Sequence, residues 1–209
     1  MRWRIAENKR RIESENFENH FDDVEMSGER ISAIVGYGAE QGAVRCEVRL
    51  VFPWIRLQPD VTTSSYQFAC PHAKILREGS EKFIRVSFDG TLCLCTENDG
   101  LKIERTYYPS VTEPIFYEKV CVRNEGNTPP EIFCSGYEKL HARIACEGYI
   151  YLERTADAGA ETLAPGEGRE ICFCYTARYA DQPIPKEEDS LQKRKDRIGT
   201  LFSQCDMTT

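Results

Sequence analysis

Two pairs of cysteines have the spacing that most directly suggests chemistry. Cys93 and Cys95 stand two apart in one apolar run, and Cys172 and Cys174 stand two apart in another. Thiolates bind zinc, but zinc sites usually space their cysteines as C-x2–4-C, often across a turn. Neither pair has a turn glycine between its members. Residues i and i+2 of a strand share one face, where they are poorly placed to bond one another. The pattern therefore favours reduced thiols that behave as small hydrophobic side chains, and we expect no metal site.

Histidines and clustered acids are the other groups that could transfer protons near neutral pH. The chain has three histidines, at His20, His72 and His141. A lone histidine is more often a hydrogen-bonded structural group than a catalyst. Acids cluster at Asp22–Glu25 and at Glu187–Asp189. We interpret these clusters as a solvated turn and as the start of a helix, so neither predicts a catalytic pair.

Short strands are the elements that would position these groups. From Arg30 to Ala180 the sequence alternates apolar and polar residues in short runs. Asp89-Gly90 and Asn98–Gly100 separate such runs, and Asp-Gly between alternating segments is a strong hairpin signal. About twelve strands at hairpin spacing predict an all-β fold, a large two-sheet antiparallel sandwich rather than a barrel.

A single helix is predicted at the C-terminal end. The strand pattern breaks at Asp181–Pro185, and Lys186–Cys205 has the periodicity of an amphipathic helix. Its apolar stripe includes Leu191, Ile198, Leu201 and Phe202. The stripe either packs on the sandwich or docks another domain. We therefore divide the chain into a β-sandwich domain, residues 1–182, and a linker with an amphipathic helix, residues 183–209, that leads to a further domain.

The composition is that of a soluble globular protein. The chain has 209 residues, of which 41% are hydrophobic and 29% charged, and its net charge is −7. This charge argues against non-specific nucleic-acid binding and against an anionic membrane surface. No apolar run approaches the ~20 residues of a spanning helix, and the basic segment Met1–Arg11 lacks the apolar stretch of a signal peptide. Ten cysteines without a secretion signal favour a reducing, cytoplasmic location over a disulfide framework.

Several segments, taken in order, carry a resemblance to a known family. They are His20–Gly28, Arg30–Tyr37, Val51–Arg56 with Pro59, Val122–Gly126, Leu163–Glu167 and the proline-containing linker into the helix. Together they resemble the N-terminal supersandwich domain of bacterial glycoside hydrolases whose catalytic unit is an (α/α)6 barrel. The α-L-rhamnosidase-like and glucoamylase-like inverting enzymes are the most similar in the order and residue types of these segments.

The resemblance implies a fold and a role. The fold would be a supersandwich like that of galactose mutarotase. The domain would be non-catalytic and would support the barrel and help shape its carbohydrate-binding cleft. In such enzymes the barrel carries the paired carboxylates, which an inverting glycosidase holds roughly 6.5–9.5 Å apart. The implied partners are a carbohydrate and a C-terminal barrel, with no cofactor. An uncovered docking face would also favour a homo-oligomer.

Alternative functions remain open at this point. An aldose-epimerase-like enzyme of the mutarotase fold would use His72 and His141 to polarise a sugar ring oxygen and Glu138 as the base. A purely structural interaction protein would instead expose an apolar patch along the helix stripe.

A free-standing carbohydrate-binding module would need aromatic rings, because flat rings stack on the apolar faces of sugars. The candidates are Trp54, Tyr66, Tyr107 and Tyr108. Trp54 alternatively fills the core or an interface. Tyr107 and Tyr108 point to opposite faces of a strand, so at most one lies in the core and the other is exposed or at an interface.

Overall fold

A computed structural model of the chain describes residues 3–6, 11–15, 20–40, 43–55, 67–76, 81–145, 148–184 and 190–204. These residues form 15 strands and one helix. The all-β sandwich with a C-terminal helix that the sequence predicts is confirmed. No helix in these ranges combines the length and the apolar character needed to cross a membrane.

Nine strands form one antiparallel sheet, called the large sheet here. In spatial order they are β1 (Arg4–Ile5), β2 (Ile12–Ser14), β7 (Lys82–Phe88), β8 (Leu92–Asn98), β9 (Leu101–Pro109), β10 (Ile115–Asn124), β15 (Gly168–Tyr179), β13 (Gly148–Thr155) and β12 (Tyr137–Ala145).

Four strands form a second antiparallel sheet, the small sheet, in the order β3 (Phe21–Ser27), β4 (Ser32–Glu40), β5 (Ala43–Val51) and β6 (Gln67–Pro71). Two short strands, β11 (Glu131–Cys134) and β14 (Gly159–Thr162), pair separately. The helix α1 spans Ser190–Gln204. It falls within the predicted Lys186–Cys205; residues 185–189 and 205–209 are outside the described ranges.

The core lies between the two sheets. Alternate residues of each strand turn inward, so Val35 and Leu50 of the small sheet share one hydrophobic cluster with Ile103, Val120 and Phe173 of the large sheet. All five are 2% exposed or less. Burial of this apolar surface is the main term that holds the sheets together.

Turn chemistry fixes the hairpins of the large sheet. Asp99 and Gly100 join β8 to β9 with φ values of 45° and 86°. Two positive φ values characterise the type I′ turn, whose twist matches that of paired strands. The hairpin predicted from Asn98–Gly100 is therefore confirmed.

One segment differs from its interpretation as a turn. Phe21–Ser27 is the strand β3, paired along its length with β4. It lies at the edge of the small sheet. Edge strands commonly carry charged side chains, which discourage pairing with other chains, and this explains how Asp22, Asp23 and Glu25 fit a strand.

Candidate functional site

A buried carboxylate, Glu118, is the centre of a polar cluster between the sheets. It lies on the inner face of β10 and is 0% exposed. Its Oε2 accepts a hydrogen bond from the Ala73 backbone N–H at 2.9 Å and one from the Tyr175 hydroxyl. Its Oε1 accepts from the Tyr107 hydroxyl at 3.2 Å. Because Ala73 follows β6, this carboxylate joins the small sheet to three strands of the large sheet.

Arg105 compensates the charge of the cluster. Its guanidinium is buried on β9, with Nε 3.8 Å from Glu118 Oε1 and Nη2 2.7 Å from Glu81 Oε1. Burial alone would lower the pKa of Arg105, but Glu81 and Glu118 outweigh burial and raise it. Thr96 donates a hydrogen bond to the other oxygen of Glu81 at 2.6 Å. The Arg105 guanidinium therefore lies between the carboxylates of Glu81 and Glu118.

His72 lies beside this group. Its ring is hydrogen-bonded to the backbone of Cys46, and burial followed by Arg105 lowers the pKa of His72. Among the described residues, His72 Nδ1 and Arg105 Nη1 are buried nitrogens without a hydrogen-bond partner. The lowered pKa makes His72 a neutral imidazole at neutral pH.

The remaining members are neutral hydrogen-bond donors. Burial, then the nearby Cys46 and Glu118, raises the pKa of Tyr107 well above its usual value. Burial and then Glu118 do the same for Tyr175. Burial also raises the pKa of the Cys46 and Cys70 thiols to about 12. These thiols and phenols therefore stay protonated, and the two phenols serve as hydrogen-bond donors to Glu118.

The proposed epimerase residues are placed around this cluster. His141 is hydrogen-bonded through Nε2 to the Ala69 carbonyl at 2.6 Å, whereas His72 is hydrogen-bonded to the backbone of Cys46. Glu138 pairs with Arg154, whose Nη1 donates to the Tyr175 hydroxyl at 3.2 Å. Glu138 is thus linked through two side chains to Glu118. The two histidines make different contacts rather than sharing one partner.

Two of the proposed sugar-binding aromatics, Tyr107 and Tyr108, are enclosed. Tyr107 is 0% and Tyr108 4% exposed, so neither ring is accessible to a sugar in this structure. They lie on opposite faces of β9: Tyr107 in the main core, and Tyr108 in a second cluster, stacked on Tyr117. Trp54 is partly buried against the core, 6.0 Å from the Tyr179 ring. Tyr66 lies outside the described residues.

The helix α1 covers the outer face of the large sheet at this second cluster. Leu191 packs against the cluster that contains Tyr108 and Tyr117. Arg194 is 8% exposed and donates to three backbone carbonyls, of Gly90 at 2.9 Å, Ser27 at 3.2 Å and Pro109 at 3.4 Å. These contacts fasten the helix to both sheets.

Gly90 gives the helix room to approach. A Cβ atom at Gly90 would overlap the Ile198 side chain, and the φ of +94° at this turn also favours glycine. Beyond this contact the apolar stripe is uncovered, since Leu201 is 44% and Phe202 46% exposed. Leu201 and Ile198 also line a cavity of about 290 Å³ between α1 and Gly28. Leu191 and Ile198 therefore contact the sandwich, whereas Leu201 borders the cavity and, like Phe202, stays almost half exposed.

No disulfide links the cysteines that the structure describes. Eight cysteines lie in the described ranges, and they include both members of the Cys93/Cys95 and Cys172/Cys174 pairs. Within the described ranges, no three His, Cys, Asp or Glu side chains are grouped so as to hold a metal ion.

No protein-family model matches the chain, and no curated protein matches it.

The polar cluster around Glu118 was not predicted from the sequence, although the sequence contains a signal for it. Glu118 interrupts an inward alternation of apolar residues on β10, between Phe116 and Val120. Arg105 interrupts the matching alternation on β9, between Ile103 and Tyr107. Two opposite charges at inward positions of paired strands predict a buried ion pair, because a buried charge needs a partner.

Proposed function

We propose that this chain is a non-catalytic β-sandwich domain of a glycoside hydrolase. In this proposal it supports an (α/α)6 catalytic barrel and forms part of the wall of its carbohydrate-binding cleft. The observation that carries the proposal is the arrangement of α1. The helix is fastened to the sandwich by Leu191, Arg194 and Ile198, while the end of its apolar stripe, Leu201 and Phe202, stays almost half exposed.

A fastened helix with an uncovered apolar end is suited to docking a second body. Leu201 and Phe202 are neighbours in the last turns of α1, and both are large side chains. Exposed apolar groups of this kind mark interaction sites when they lie together on one surface. The three carbonyl contacts of Arg194 give the helix a fixed direction, so that a docked barrel would be held in one orientation.

The state of the interior polar groups agrees with a non-catalytic role. Glu118 is fully buried and its hydrogen-bonding capacity is used by Ala73, Tyr107 and Tyr175. A general acid or base must come within hydrogen-bond reach of the substrate. In this structure the enclosed carboxylate has no such access, and its role is to join the sheets.

The coding sequence after Thr209 is the first test. The proposal expects the reading frame to continue into several hundred residues (a rough domain-scale length) of paired amphipathic helices. A stop codon at that point, or a continuation without this helical pattern, would refute the proposal.

Docking of the barrel is the second test. The barrel would be produced as a separate chain, and its affinity for residues 1–209 would be measured by calorimetry. We expect Leu201→Asp and Phe202→Asp to weaken the complex by roughly tenfold or more, since each places a charge in an apolar contact. Tyr149→Asp is the matched control, because Tyr149 is 56% exposed on β13, in the large sheet. Equal loss in all three variants would contradict docking at α1.

A further inference from the structure

An exposed aromatic ring, Phe21, lies on the outer face of the small sheet. Phe21 is 52% exposed and pairs with Gly38 across the β3–β4 ladder, while Gly36 is two residues further along β4. A Cβ atom at Gly36 would come within 2.8 Å of Phe21 Cζ, and one at Gly38 within 2.9 Å of Phe21 Cδ2. Because atoms from both sides of the ring approach the strand, the ring lies along the sheet over both glycines.

The two glycines make this position possible. A larger residue at Gly36 would push the ring away from the sheet, and one at Gly38 would overlap the His20 carbonyl as well as the ring. Packing of an aromatic ring over strand glycines covers backbone that would otherwise face water. The arrangement holds the ring in place from below and leaves its remaining surface open to solvent.

Polar side chains surround the ring. Phe21 forms part of a cavity of about 500 Å³, whose other walls include His20, Glu40, Arg45 and Glu47. Arg45 Nη1 donates to Glu40 Oε2 at 3.1 Å, and both side chains are exposed to solvent. The volume is that of a small-ligand site, and an apolar surface with a few placed polar groups is the usual composition of one.

We infer that the Phe21 cavity is a binding site for a neutral saccharide. A pyranose ring has an apolar C–H face that stacks on an aromatic ring and hydroxyl groups that hydrogen-bond to carboxylates and guanidinium. The site offers both on one open surface. Its two carboxylates disfavour an anionic ligand, because like charges repel. Its single ring is too small a patch for a stable protein partner, which would cover about 800 Å² of this chain.

Affinity electrophoresis of the purified chain tests the inference. Native gels would contain one of four neutral polysaccharides (mixed-linkage β-glucan, xyloglucan, galactomannan or soluble starch) or anionic polygalacturonate. We expect retardation by at least one neutral polysaccharide and none by polygalacturonate. For the neutral polysaccharide that binds, Phe21→Ala and Phe21→Leu should each raise Kd by roughly tenfold, since both remove the flat ring.

Two further variants separate stacking from other effects. Gly36→Ala keeps the aromatic side chain but displaces it, and should also weaken binding. Tyr149→Ala removes an exposed ring from the large sheet and should leave binding unchanged. Thermal unfolding of each variant verifies that the fold is intact.

Several results would overturn the inference. They are no retardation by any of the neutral polysaccharides, retardation by polygalacturonate alone, or unchanged binding in Phe21→Ala. The inference stands independently of the proposed function. The gel tests this chain alone, whereas the proposed function is tested by the coding sequence and by barrel docking, so either can fail without the other.

Discussion

Replacing Glu118 by alanine should destabilise this protein more than any single change of an exposed carboxylate. The substitution removes the acceptor for three donors that are themselves buried: the Ala73 N–H, the Tyr107 hydroxyl and the Tyr175 hydroxyl. It also removes the second carboxylate beside Arg105, which retains only Glu81 as a charged partner.

The expected magnitude follows from these contacts. Each buried donor left without an acceptor costs about 1–3 kcal/mol, and breaking a buried ion pair from one side costs about 3–5 kcal/mol. These terms overlap, because the freed phenols can turn toward other acceptors. We therefore expect a loss of about 3–5 kcal/mol in the free energy of unfolding. For a chain of this size that corresponds to a fall in Tm of roughly 6–20 °C.

Differential scanning calorimetry of matched variants measures the effect. Glu170→Ala is the control, because Glu170 lies on the adjacent strand β15 and pairs with Lys119 at the surface, 2.8 Å away. An exposed pair contributes about 0–1 kcal/mol, so this control should move Tm little. Glu118→Gln keeps one acceptor oxygen and should fall between the two. If Glu118→Ala lowers Tm no more than Glu170→Ala, the assignment of Glu118 as the bond between the sheets is wrong.

Three further predictions follow from other buried groups. Burial and then Arg105 lower the pKa of His72 in the folded chain. As the pH falls, His72 therefore becomes protonated in the unfolded chain at a higher pH than in the folded chain. Stability should therefore fall below about pH 6.5, by up to about 1.4 kcal/mol per pH unit, and a pH series of urea midpoints should flatten in His72→Phe. Arg194→Ala should lower the free energy with which α1 docks on the sandwich by about 1.5–3 kcal/mol. Hydrogen exchange should then be faster in α1 but not in β9, and an equal change in both elements would contradict the prediction. Burial raises the pKa of Cys46 and Cys70 to about 12, so both should resist iodoacetamide in the native state while exposed Cys121 reacts first, as mass spectrometry would show. Early labelling of Cys70, the more buried of the two, would contradict this prediction.

Local patterns predicted the elements of this fold because the forces that create them are local. The alternation along β5 and the turn at Asp99-Gly100 each depend on neighbouring residues alone. The strand β3 was missed for a related reason. Its acidic residues have low strand propensity, and the pairing with β4 that overrides this preference depends on tertiary context.

The sites were less predictable because their contacts join distant parts of the chain. Alternation correctly separated Tyr107 and Tyr108 onto opposite faces, but the burial of Tyr108 requires α1, far along the sequence. Likewise, nothing near Phe21 in the sequence indicates that its ring would lie on Gly36 and Gly38. A strand register decides this contact, and a register is a property of two strands rather than one.

The polar cluster around Glu118 offers an explanation for how the two sheets keep a single alignment. Apolar residues alone would allow the small sheet to slide over the large one, because hydrophobic burial has no direction. The bond from Ala73 N–H to Glu118 has both direction and length, and it holds the end of β6 at one point of the large sheet. Buried charges often add little net stability compared with apolar residues, so we expect the main effect of Glu118 to be on the alignment of the two sheets. That alignment also matters for α1. Arg194 donates to the carbonyls of Ser27 in the small sheet and Pro109 in the large sheet, and it can reach both only when the two sheets are correctly aligned.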